Sequence, residues 1–211
     1  MNTKNIFIPL GEVSLPAELS LPAKPKGLII FSHGSGSSRL SPRNRYVASV
    51  LHKNNFATLL FDLLTEEEDS VYDNRFDIAL LSQRLGGVTK WARNFPSTQD
   101  LITGYFGAST GSASALKAAA IPENKIAAVV SRGGRPDLAM EDAGKIRSAV
   151  LLIVGGFDTG VIELNGQFFE KLECVKRMEI VPGATHLFEE EGKLEEVAEL
   201  AVKWYDQYLK R

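Results

Sequence analysis

The sequence holds one cysteine, Cys174, so no disulfide can close within the chain. A disulfide framework is excluded as a source of stability, and the composition fits a reducing compartment. Long apolar runs are missing too. Residues 149–154, "AVLLIV", fall far short of the roughly 20 residues that cross a bilayer. The N-terminal segment has one five-residue apolar run, broken by Gly11-Glu12, which is too short for a secretory signal. Neither sign of charge dominates: 24 basic and 26 acidic side chains leave a net charge of −2. A nucleic-acid binder would show a basic excess or stripe. The spacings G-x-x-x-x-G-K-[ST] and G-x-G-x-x-G are both absent, which argues against a nucleotide site. These absences lead us to expect a soluble, cytoplasmic protein without nucleic acid or membrane as partner.

What is present is the pattern of an ordinary globular protein. The 211 residues, 44% hydrophobic and 24% charged, suit one domain over residues 1–211 with a core large enough to need no metal staple. Six apolar runs read as strands: residues 27–34, 57–63, 101–107, 126–134, 149–156 and 177–183. Most are apolar throughout, as strands covered on both faces are. Between them, Ile78, Leu81, Leu85 and Val88 recur at helical spacing. So do Leu194, Val197, Ala198, Ala201, Trp204, Tyr205 and Tyr208, and residues 111–120 are alanine-rich. Residues 5–21 read as a β-hairpin turning at Gly11-Glu12. The acidic runs at 66–69 and 189–191 read as solvated charge. The alternation predicts a doubly wound α/β fold with a mostly parallel sheet and an antiparallel N-terminal hairpin. In open sheets of this kind, sites form at the carboxyl ends of the strands.

Four strand ends carry reactive chemistry. Residues 107–111, "GASTG", place Ser109 in a G-x-S-x-G turn between a strand and an alanine-rich segment. Such an elbow needs glycine at Gly107 and Gly111 because the turn is tight, and it lifts the serine Oγ above the sheet. The Thr110 N–H then points at a developing oxyanion. A serine hydroxyl needs a base, and His186, after the last strand, is the candidate. His52 reads instead as a helix C-terminal residue. An imidazole base needs an acid to orient it. Asp158 follows the strand at 149–156, and Asp137 is the weaker alternative, suited to capping a helix. The second oxyanion donor falls to the N–H of Ser35 in "SHGSG", with His33 holding loop backbone. Arg43 and Arg45, and Arg132 and Arg135, leave strand ends on the same edge. They either bind a carboxylate or phosphate on the substrate, or pin loops by pairing with Asp137, Glu141 or the acidic run at 66–69.

Residues 33–36, the elbow at 107–111, Asp158 and His186 together resemble the α/β-hydrolase superfamily, and more closely its small, lidless, dienelactone-hydrolase-like branch. The stretches "SHGSGSSRLSPRNRYVA" and "VSRGGRPDLA" also resemble a bacterial subgroup known only as hydrolases. The resemblance implies a serine hydrolase that cleaves an ester-like bond with no metal or organic cofactor. One departure from that branch is Ser109 where its nucleophile is typically a cysteine, so dienelactone is not carried over as substrate. Between the strands at 126–134 and 149–156 there is room for one helix and no lid domain, which predicts a shallow pocket for short soluble esters. Two other readings stay open: a ligand-binding member of the fold without catalysis, and an acyltransferase in which an alcohol or amine replaces water.

Overall fold

The computed structural model describes residues 2–210. The N-terminal hairpin consists of β1 (Asn2–Leu10) and β2 (Val13–Leu21), and it turns at Gly11-Glu12. Gly11 has φ +65°, the left-handed conformation that favours glycine in such a turn. Next come β3 (Leu28–Ser32), α1 (Pro42–Lys53), β4 (Ala57–Phe61), a short α2 (Glu66–Asp69) and a 3₁₀ turn (Tyr72–Phe76). The chain continues through α3 (Ile78–Ala92), β5 (Thr103–Ala108), α4 (Thr110–Ala119), a 3₁₀ turn (Pro122–Asn124) and β6 (Ile126–Arg132). It ends with a kinked 3₁₀ segment (Pro136–Lys145), β7 (Ala149–Gly155), α5 (Thr159–Lys171), β8 (Lys176–Val181) and α6 (Lys193–Tyr208).

All eight strands form one sheet, in the order β1-β2-β4-β3-β5-β6-β7-β8. β2 pairs antiparallel with both β1 and β4, and the remaining pairings are parallel. The unbroken apolar runs have a direct cause: alternate side chains enter two separate cores. Ile30, Tyr105, Val129, Val150 and Leu152 pack with α3, α4 and α5 on one face. Ile29, Phe31, Phe106, Val130, Leu151 and Ile153 pack with α1 and α6 on the other.

The helical stripe of α6 buries Val197, Ala198, Ala201, Trp204 and Tyr205, as its periodicity predicts. The acidic run at 66–69 is less solvated than expected. Glu68 closes a capping box with Thr65 and pairs with Arg84, and Asp69 pairs with Arg75. Between β6 and β7 the only regular element is the 3₁₀ segment, which leaves no inserted lid domain in that connection. Among the described residues, no helix is long and apolar enough to cross a membrane, and no cluster of side chains suits a metal ion.

Candidate active site

β5 runs directly into α4 with a single residue, Ser109, at the corner. Ser109 has φ 53° and ψ −123°, a strained conformation for a side chain with a Cβ. The corner is tight enough to require both glycines. A Cβ at Gly107 would lie 2.5 Å from Ser112 Cα, and one at Gly111 would fall on the carbonyl oxygens of Ser32 and His33. Main-chain bonds fix the turn from the neighbouring strand end. The Ser109 N–H donates to the Arg132 carbonyl (3.1 Å), and the Arg135 N–H donates to the Ser109 carbonyl (3.1 Å). Ser109 occupies the helix N-cap position, yet its hydroxyl makes no capping bond.

His186 and Asp158 meet because the loops after β7 and β8 are stitched together. The Gly156 N–H donates to the Val181 carbonyl (2.9 Å), and the Phe157 N–H to the Ala184 carbonyl (2.9 Å). No side chain fits at Gly155, where a Cβ would lie 2.5 Å from the carbonyl oxygens of Ala184 and Thr185. Asp158 stands at the N-cap of α5, where an aspartate normally binds the first amides of the helix. Here it makes no such bond. Instead its Oδ2 accepts the His186 Nδ1–H at 2.6 Å. Asp137, the alternative acid, is held bidentately by Arg135 (2.8 and 2.8 Å). The His186 ring lies over Gly133, 3.5 Å from where a Cβ would be, and Gly133 follows the residue that binds the Ser109 amide. Ser109 and His186 line one cavity of about 220 Å³. Among the described residues no hydrogen bond joins them, a spacing common in sites without substrate.

The loop after β3 meets the start of α4 beside Ser109. His33 is buried beneath the loop and is neutral by construction. Its Nδ1–H donates to the Gly34 carbonyl (2.9 Å), and its Nε2 accepts the Leu63 N–H (3.1 Å). Burial lowers its pKa, against weaker opposing effects of the Gly34 carbonyl, Asp62 and Asp69. Gly34 comes close to Ser109, since a Cβ there would lie 3.1 Å from Ser109 Cβ. Ser35 reaches Thr110 as expected, but its N–H does not stand open. It donates to Thr110 Oγ1 at 2.7 Å. While that bond holds, the Ser35 amide is not free for another acceptor.

The four arginines separate into two pairs. Arg45 bonds Glu18 on β2 (2.7 Å) and Arg135 bonds Asp137; neither lines the cavity. Arg43 and Arg132 do line it. Arg43 bonds Glu189 (2.7 Å), whereas Arg132 has no carboxylate partner among the described residues. Sequence reasoning missed Asn44, buried in the first turn of α1 and facing the same cavity. Ser41-Pro42 announces a helix start there, but nothing in the pattern announces which side chains face the site. His52 lies in the last turn of α1, as expected, with Nε2 against Thr58 Oγ1.

No family model matches the chain. A dienelactone hydrolase from Anabaena variabilis is 50% identical, with 99% of each chain covered and a TM-score of 0.96. The esterase domain of a Rhodothermus marinus protein shares the fold at 18% identity, covering 99% of this chain and 93% of that one, with a TM-score of 0.78. A Mycobacterium tuberculosis protein named "Putative phosphoribosyl transferase" is 51% identical over 209 residues. The match takes in 99% of this chain and 47% of that protein, so the chain spans about half the length of the curated relatives it matches. The likeness to the Anabaena enzyme runs end to end and agrees with the eight-stranded sheet, so the chain belongs to the dienelactone-hydrolase-like group of the α/β-hydrolases.

Proposed function

We propose that the chain is a serine hydrolase that cleaves an ester-like bond in a small substrate through an acyl-enzyme. One observation carries the reading. A histidine oriented by an aspartate at 2.6 Å shares a cavity with a serine lifted on a strained, glycine-dependent corner. In this reading Ser109 Oγ attacks the carbonyl carbon while His186 Nε2 takes its proton. Asp158 holds the Nδ1–H tautomer and stabilises the imidazolium. The amides of Thr110 and Ser35 hold the oxyanion once Thr110 Oγ1 has moved aside. His186 returns the proton to the leaving alcohol, and water repeats the cycle to free the acid. The fold and the hydrolase neighbours support this class of chemistry. The transferase name belongs to a protein about twice as long, of which this chain matches 47%.

A fluorophosphonate probe should label Ser109 alone, and Ser109→Ala should abolish turnover of 4-nitrophenyl acetate without changing the circular dichroism spectrum. Asp158→Asn should lower kcat roughly 10³- to 10⁴-fold, by analogy with the aspartate of serine proteases. Asp137→Asn should cost far less. Labelling elsewhere, undiminished turnover by Ser109→Ala, or a larger loss from Asp137→Asn would overturn the assignment.

A further inference from the structure

β8 is the last strand in the sheet order, and among the described residues no strand pairs with its outer side. The direction of its main-chain groups follows from the bonds on its inner side. The Val150 N–H donates to the Val175 carbonyl (2.8 Å), and the Gly156 N–H donates to the Val181 carbonyl (2.9 Å). Residues 175, 177, 179 and 181 therefore turn their main-chain groups towards β7. These groups alternate sides along a strand, so those of Lys176, Met178 and Ile180 point out of the sheet. An open row of N–H and C=O groups is a template for another strand.

Proteins usually blunt such edges with proline or with a charge held over them. The opposite edge follows that rule, since β1 carries Pro9, which has no N–H to give. β8 contains no proline. Its lysine is turned away from the edge: Lys176 Nζ donates to the carbonyls of Phe169 (2.7 Å) and Leu172 (2.9 Å) and lies 4.6 Å from the centre of the Phe169 ring. The other two charges, Arg177 and Glu179, lie on the same face of the strand and pair with each other. Val175 and Ile180, at the two ends of the edge, are exposed apolar side chains.

The charges on β8 complement a second β8. Two antiparallel copies form hydrogen bonds only where outward-facing groups meet outward-facing groups, so their two-fold axis must pass through a residue. An axis at Arg177 sets that arginine against its own copy, and an axis at Glu179 does the same with two carboxylates; like charges directly opposite are destabilising. An axis at Met178 sets Arg177 against Glu179 of the second copy, twice. It does so at the non-hydrogen-bonded positions, where facing Cα atoms are about 4.5 Å apart and side chains are closest. The same register pairs all three outward-facing residues, Met178 with its own copy and Lys176 with Ile180. We propose that β8 pairs antiparallel with β8 of a second copy of this chain about a two-fold axis through Met178, joining two eight-stranded sheets into one. The contact is isologous, the form in which one patch complements itself. The axis stands perpendicular to the sheet, so the carboxyl ends of the parallel strands point in opposite directions in the two copies. The cavities that hold Ser109 stay apart, and each is complete in one subunit.

Sedimentation equilibrium over a range of protein concentrations tests the pairing. The mass should rise towards twice the 23.1 kDa of the chain. Arg177→Glu and Glu179→Arg should each weaken the dimer at least 10-fold, because each sets like charges opposite one another. The double variant Arg177→Glu/Glu179→Arg restores both pairs and should recover most of the loss. Circular dichroism of each variant checks that the subunit keeps its fold. Cross-linking tests the register. With Cys174→Ser as background, Met178→Cys should oxidise to a disulfide-linked dimer, since facing Cα atoms at a hydrogen-bonded position are about 5.5 Å apart, within disulfide reach. Lys203→Cys, exposed on α6, should not. Should Met178→Cys fail to fold, the charge series decides, because the Arg177 side chain is 63% exposed and changes without disturbing a core. A monomer at every concentration up to the millimolar range would overturn the proposal. So would a dimer indifferent to both single reversals, a double variant that stays as weak as the single ones, or cross-linking at residue 203 as fast as at residue 178.

Discussion

His33 shows how one buried side chain ties the site to pH. It bridges the Gly34 carbonyl and the Leu63 amide, and only the neutral ring can do both, because a proton on Nε2 leaves the Leu63 N–H without an acceptor. Its folded pKa is lowered chiefly by burial, so between the folded and unfolded values the unfolded chain binds the extra proton. The contribution is complete above the unfolded value of about 6.5 and shrinks as pH falls below it, by up to about 1.4 kcal/mol per pH unit. His52, also shifted down by burial, adds to the same slope. Urea unfolding at pH 7.5, 6.5 and 5.5 should show wild-type stability falling towards acid. His33→Gln keeps an acceptor for Leu63 but does not titrate, and should show a shallower fall. Parallel curves for the two proteins would mean that His33 carries no part of the acid sensitivity.

The elements were readable from sequence where burial gave them a signature. Two cores fed by alternate side chains make β3 to β7 continuously apolar, and one deep core gives α6 a full stripe. α5 escaped notice because it buries only Asn165 and Phe168 and contains Gly160 and Gly166. The elbow was legible because its glycines answer to local geometry. The roles of the arginines were not, because Arg43 finds Glu189 across 146 residues of chain and Arg132 finds no carboxylate among the described residues. Glycines at different places in these elements should respond in opposite ways to the same change. Gly111→Ala drives a methyl group into the β3 carbonyls and pushes the start of α4, with Ser109 and Thr110, off the sheet. Tm should fall and kcat/KM should drop at least 100-fold. Gly166→Ala, inside α5 with open space around it, should stabilise the protein by about 0.5–1 kcal/mol. Thermal melts of the two variants check both signs, and a neutral Gly111→Ala would show that the corner has slack.

At the scale of the whole molecule, the site is a product of topology. Residues 33–35, 43–44, 109–110, 132–133, 158 and 186 are scattered along the chain, and parallel strands deliver them to one end of the sheet. The 3₁₀ segment between β6 and β7 inserts no lid domain at that end. Under the proposed acyl-enzyme chemistry, a site with no inserted lid exposes the acyl group to whatever nucleophile the solution offers, so deacylation becomes a branch point. Water and a small alcohol would compete for the same carbonyl, and the product ratio would report their relative concentrations. In buffer with 10–20% methanol, 4-nitrophenyl acetate should yield methyl acetate alongside acetate. The methyl ester should rise in proportion to the alcohol while the first release of nitrophenol stays unchanged. Acetate as the sole product at every alcohol concentration would mean that the water reaching Ser109 is selected by the protein.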